Sequence, residues 1–180
     1  MVSFTRTIPI VVLLAAVIAA PLPAQAPAPQ PNLLVGSIQL GAGNIHDVFA
    51  VASDAMSEAD FAFTPAKDAR SFAQMLAHVA ESNYQFCSAA MGEKSPVADV
   101  EKTKTTRAEV RQVLTESFEY CDRAFATMND ETSAKAMREF RGHQLPALAV
   151  LNYRNYHALL HFGEAITYMR LRGKVPPTIE

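Results

Sequence analysis

The sequence predicts an all-α domain, a bundle of four main helices. Three observations predict it. Apolar residues at three-and-four spacing recur in separate stretches between positions 44 and 172. Two of those stretches are preceded directly by a Ser/Thr-x-x-Glu/Gln signature, the mark of a helix start. No segment alternates with period two for long and no internal repeat occurs, which leaves helices packing on helices as the economical architecture.

The first thirty residues, MVSFTRTIPIVVLLAAVIAAPLPAQAPAPQ, stand apart from that pattern. One arginine is followed by an uncharged apolar run over 8–20 and then by small residues and prolines, the order of a secretory signal peptide. The run is shorter than the roughly 20 apolar residues of a membrane span. Residues 1–26 are read as a leader that ends at Ala24-Gln25-Ala26, with cleavage after Ala24 the alternative because Pro27 is a poor neighbour for a peptidase. An uncleaved membrane anchor is the rival reading. The expectation is therefore an exported protein, periplasmic or secreted, free of the membrane once the leader is removed.

Residues 27–43 form a proline-rich lead-in that contains the possible start of the first helix, and 44–180 form the bundle domain. Sixteen basic and 18 acidic residues give a formal charge of -2, and no Lys/Arg cluster marks a phosphate-binding face, so nucleic acid is not an expected partner. An exported chain permits a disulfide, but two cysteines, Cys87 and Cys121, do not by themselves decide between a bridge and free thiols.

The first helix is expected over 44–56, with Gly41 and Gly43 weakening any upstream extension, and the stretch SEADFAFTP breaks it. Ser71-Phe72-Ala73-Gln74 fits a capping box. Phe72, Met75, Leu76, Val79, Asn83 and Phe86 then trace one helical face until Gly92 closes the second helix. Thr106-Arg107-Ala108-Glu109 repeats the capping logic before Val110, Val113, Leu114 and Phe118. Asn129-Asp130 ends that third helix. Pro146 suits the first turn of a fourth, which meets no further turn signal before Gly173.

That fourth helix carries YHALLHF. His157 and His161, four residues apart, lie one turn apart on one face and can aim both rings at one point, as two ligands of a single metal must. Composition alone produces such pairs often, and a pair of partly buried histidines bonded to Tyr153 or Tyr168 is the competing account. His78 alters the balance. It borders the apolar stripe of the second helix. If the second and fourth helices are antiparallel, its level falls within about one turn of His161 by helix rise. Three imidazoles leave a coordination position open, as a catalytic site requires.

Glu81 and Glu164 each follow a histidine by three residues and are candidates for orienting a ligand or moving a proton, with a solvated helix face as the competing account. His46 and His143 are read as structural or solvated, near a helix start and in a turn. Tyr84, Phe86, Tyr153 and Tyr156 are candidate pocket or core aromatics.

The segments FTPAKDARSFAQMLAHVAESNYQFCSAAMGE, EKTKTTRAEV and YHALLHFGEAITYMRLRGKVPP together resemble exported bacterial members of the DinB superfamily, over residues 47–177. The resemblance implies an up-down-down-up four-helix bundle with a long crossover between the second and third helices. It implies a divalent metal, commonly zinc or nickel, held by His78, His157 and His161. It also implies pairing as a homodimer in many relatives, although no exposed apolar stripe in the sequence demands it. Glu164 stands where many relatives carry an amide or histidine, and the tryptophan often found on the first helix is missing.

Within the implied topology the second and third helices are parallel, so Cys87 and Cys121 lie 16 and 15 residues past their respective caps, at nearly one height. A Cys87 to Cys121 disulfide is the resulting expectation, two buried free thiols its rival. Relatives include thiol-dependent transferases and proposed hydrolases. Export, away from cytoplasmic thiols, points to metal-dependent hydrolysis of an unknown small molecule. A non-catalytic metal or ligand binder and a thiol-dependent transferase are the alternatives.

Overall fold

The computed structural model describes residues 32–179. The expected leader at 1–26 and residues 27–31 of the proline-rich lead-in lie outside the described residues, whereas 32–43 of that lead-in are described. No described helix is long and apolar enough to cross a membrane.

Four long helices dominate: α1 (Leu33–Ala55), α3 (Phe72–Met91), α5 (Arg107–Ala126) and α7 (Ala147–Leu171). Between them come the short helices α2 (Glu58–Phe61), α4 (Val100–Thr103) and α6 (Asp130–Lys135), and a hairpin of β1 (Met137–Phe140) and β2 (His143–Pro146). The capping boxes at Ser71 and Thr106 form as the sequence predicts. In each, the hydroxyl accepts from the N3 amide while the Gln74 or Glu109 side chain accepts from the cap's own N–H. Gly92 ends α3 at φ 79°, the left-handed conformation that glycine adopts without steric cost.

Three local expectations are corrected. Helix α1 begins at Leu33, well before position 44, and runs through both Gly41 and Gly43. Its start is capped from across the fold: the Asp130 carboxylate accepts from the backbone N–H groups of Leu34 and Val35 at 3.0 and 2.9 Å. That contact supplies an acceptor at the positive end of the helix, which no residue nearby in sequence provides. His46 consequently lies well inside α1, stacked on Phe118 with ring centroids 4.6 Å apart, rather than near a helix start. The third helix ends at Ala126, and Asn129, expected to end it, instead caps α6. The hairpin at 137–146 departs from the all-helical expectation, because four-residue strands are too short to show an alternating pattern.

Contacting pairs give the helix directions. Asn83 meets Ser117 and Cys87 meets Cys121, a constant offset that makes α3 and α5 parallel neighbours. Phe72 meets Tyr168, His78 meets His161 and Phe86 meets Tyr153, so α3 and α7 are antiparallel. The Cys87 and Cys121 sulfurs lie at disulfide distance, with Cα atoms 5.2 Å apart.

One polar chain ties all four long helices together through the apolar core. Arg154 Nε of α7 donates to Asn83 Oδ1 of α3 at 2.8 Å, and Asn83 Nδ2 donates to Ser117 Oγ of α5 at 3.0 Å. Arg154 Nη1 donates to Asn155 Oδ1, whose amide donates to the Ile38 carbonyl of α1 at 2.9 Å. The buried guanidinium packs over the Phe118 ring. Burial lowers its pKa to about 10, which still leaves it charged at neutral pH.

Candidate metal centre

Helical spacing sets the site. His157 and His161 stand one turn apart on the face of α7 that packs against α3, and the antiparallel register brings His78 opposite them. Ring centroids are 4.6 Å apart for His157 and His161, 4.9 Å for His78 and His161, and 5.3 Å for His78 and His157. One ring nitrogen from each lies within 4.8 Å of the others. His161 is buried, and the other two are partly exposed.

Two carboxylates address these rings from behind. Glu164 Oε2 lies 2.9 Å from His161 Nδ1, and Glu101 Oε2 lies 3.3 Å from His78 Nδ1. An ionised carboxylate only accepts, so each contact places the ring proton on Nδ1 and leaves the Nε2 lone pair available. The Glu101 carboxylate also accepts from Arg70 Nε at 2.8 Å. The cleft beside these carboxylates, about 600 Å³, is lined by Pro65, Arg70, Glu101, Glu164 and Tyr168 among others.

Burial, reinforced by the neighbouring His161 and His78 and then by Arg141 and Arg70, pushes His157 down to about 4. Burial, followed by the charges of Arg70 and His161, also lowers His78, against the opposing pull of Glu101. Both rings are therefore neutral at neutral pH, the state a metal ligand needs.

The donor set suits a borderline-soft divalent ion. His78, His157 and His161 are the residues that would hold such an ion, whose bonds to imidazole nitrogen are ~2.0–2.1 Å long. The competing account of His–Tyr hydrogen bonds is not what forms: Tyr168 donates to the Arg70 carbonyl at 2.7 Å, and Tyr153 packs beside Phe86. Of the two glutamates singled out in the sequence, Glu164 does orient a histidine. Glu81 does not join the site; its carboxylate accepts from the Glu101 backbone N–H at 3.3 Å and so steadies the crossover. Glu101 escaped the sequence reading because it lies 23 residues beyond His78, on α4, with no spacing to link them. Phe86 reaches the site, 5.4 Å from His157, whereas Tyr84 pairs with Tyr120 and Tyr156 is largely exposed. His143 opens β2 on the surface.

A helical bundle with three convergent histidines backed by carboxylates defines a class of candidate metal-binding proteins. Residues 45–165 match the sequence profile of the DinB superfamily, and the chain belongs to that family. Its fold is similar to that of a DinB-like protein from Bacillus cereus ATCC 10987, with TM-score 0.66 and 13% identity over 82% of this chain and 95% of that one. A DinB-like protein from Bacillus subtilis is similar at TM-score 0.66 and 17% identity, over 80% and 98% of the two chains. No curated protein matches.

Proposed function

We propose that this is an exported metal-dependent hydrolase in which His78, His157 and His161 hold one divalent cation, zinc or nickel. The observation that carries the reading is the set of three ring nitrogens within 4.8 Å of one another. The carboxylates at two of the Nδ1 atoms support it. A divalent ion there supplies Lewis acidity toward a water or a carbonyl at the position the three rings leave open.

The chain's own residues divide the remaining work. Glu101 and Glu164 hold His78 and His161 in the ligating tautomer and raise the basicity of their free nitrogens. The partial exposure of His78 and His157 favours a site that admits small molecules over a closed structural one. The leader at 1–26 and the paired cysteines are compatible with export, and export favours water over a cytoplasmic thiol as the reactant.

Metal analysis of protein purified without a histidine tag tests the site. Stoichiometric metal in the wild type and its loss in His157→Ala are expected. Equal trace metal in both would overturn the proposal.

A further inference from the structure

We propose that the site takes an organic carboxylate whose acid group is received by Arg141. The assignment rests on the metal-centre reading above and names the ligand class of that same site.

The turn that carries Arg141 is the first observation. Phe140 pairs with His143, so Arg141-Gly142 is a two-residue hairpin loop, and both residues have positive φ, 51° and 80°. Such turns favour Asn-Gly or Asp-Gly, because a short polar side chain tolerates the left-handed region and a long one gains nothing there. Arginine therefore occupies this position against local preference, a pattern that points to a use for the side chain.

The second observation is where the side chain goes. Its guanidinium lies over the rings of Phe86 and Phe140, 5.3 Å from each centroid, and Phe86 is itself 5.4 Å from the His157 ring. The cation thus stands one aromatic ring away from His157. Stacking occupies the face of a guanidinium and leaves its edge N–H groups able to grip a carboxylate in two-pronged fashion. Among the described residues no ion pair or hydrogen bond uses those groups.

Charge on the other side of the site sharpens the choice. Arg70 also stands near the histidines, but Glu101 neutralises it, and the cleft there carries Glu164 and Asp68 as well. That flank repels an anion. Phe86, eight residues beyond His78 on α3, marks the opposite flank. There Arg141 makes no ion pair among the described residues, the Glu139 carboxylate of the same hairpin accepting instead from the Gly142 N–H. The half-exposed Tyr153, 5.9 Å from Phe86, offers an apolar wall for a hydrocarbon body.

Calorimetric titration of the zinc-loaded protein with benzoate and with its neutral isostere benzamide tests the assignment. The wild type should prefer benzoate by about tenfold or more, the scale of a hydrogen bond to a charged group. Arg141→Asn should lose most of that preference at unchanged zinc content while its melting temperature holds or rises, because asparagine suits the turn. Arg141→Lys should keep part of it. With zinc bound, an undiminished preference in Arg141→Asn, or no preference in the wild type, overturns the Arg141 assignment alone. A wild type that holds no zinc overturns the metal centre and this inference together.

Discussion

Glu164 accepts from Nδ1 of His161 across 2.9 Å, from three residues further along the same helix. One turn of α7 therefore supplies both a candidate ligand and the group that fixes its tautomer. Glutamine at 164 can still meet the ring, but without charge and with weaker hold on the proton. Glu164→Gln should weaken zinc affinity by about tenfold or more in competition with a chromophoric chelator, leaving helix content by circular dichroism unchanged. Equal affinity in the two proteins would remove Glu164 from the site's supporting structure.

The low pKa of His157, about 4, makes a prediction about acid stability of the metal-free protein. Between the ordinary histidine value near 6.5 and about 4, the unfolded chain binds a proton that the folded chain refuses. Unfolding free energy should fall as pH drops through that window, and His157→Phe should flatten the slope. In the folded protein the His157 ring resonance should titrate near 4 by NMR; a midpoint near 6.5 would contradict the burial argument.

Cys87 and Cys121, 34 residues apart in sequence, close a loop whose tethering restricts the unfolded chain. Loop-closure entropy for that length corresponds to about 4 kcal/mol, and the double Cys→Ser variant should lose stability on that scale in urea denaturation. Mass spectrometry under non-reducing conditions should find the bridge in exported protein, and two free thiols there would refute it.

Asp60 is buried, caps α2 through Ser57 and accepts from Arg172 Nε at 2.6 Å. The Arg172 hydrogen bond, followed by those from Ser57, lowers its carboxyl to about 2, outweighing burial. Because the folded pKa lies below the unfolded one, the stabilisation is complete above about pH 4 and is lost as pH falls towards 2. Asp60→Asn should cost about 2 kcal/mol at neutral pH by chemical denaturation. A stability loss unchanged between pH 7 and pH 2 would show that the charge is not responsible.

Much of this protein is written locally. Ser71 with Gln74, and Thr106 with Glu109, mark their helix starts because a cap and its partner are three residues apart and bond the same turn. His157 and His161 are legible for the same reason: a helix of known pitch turns a spacing of four into a shared face. Even the convergence of His78 could be anticipated, since antiparallel packing converts residue counts into heights along the bundle.

What the tertiary structure alone decided involves partners that no period connects. Asp130 caps α1 from about a hundred residues away, Glu101 reaches His78 from the crossover, and the hairpin carries Arg141 onto Phe86. Backbone hydrogen bonding imposes a repeat on residues within a turn of one another. Contacts between distant segments depend on how the whole chain packs, and packing leaves no repeat in the order of the residues.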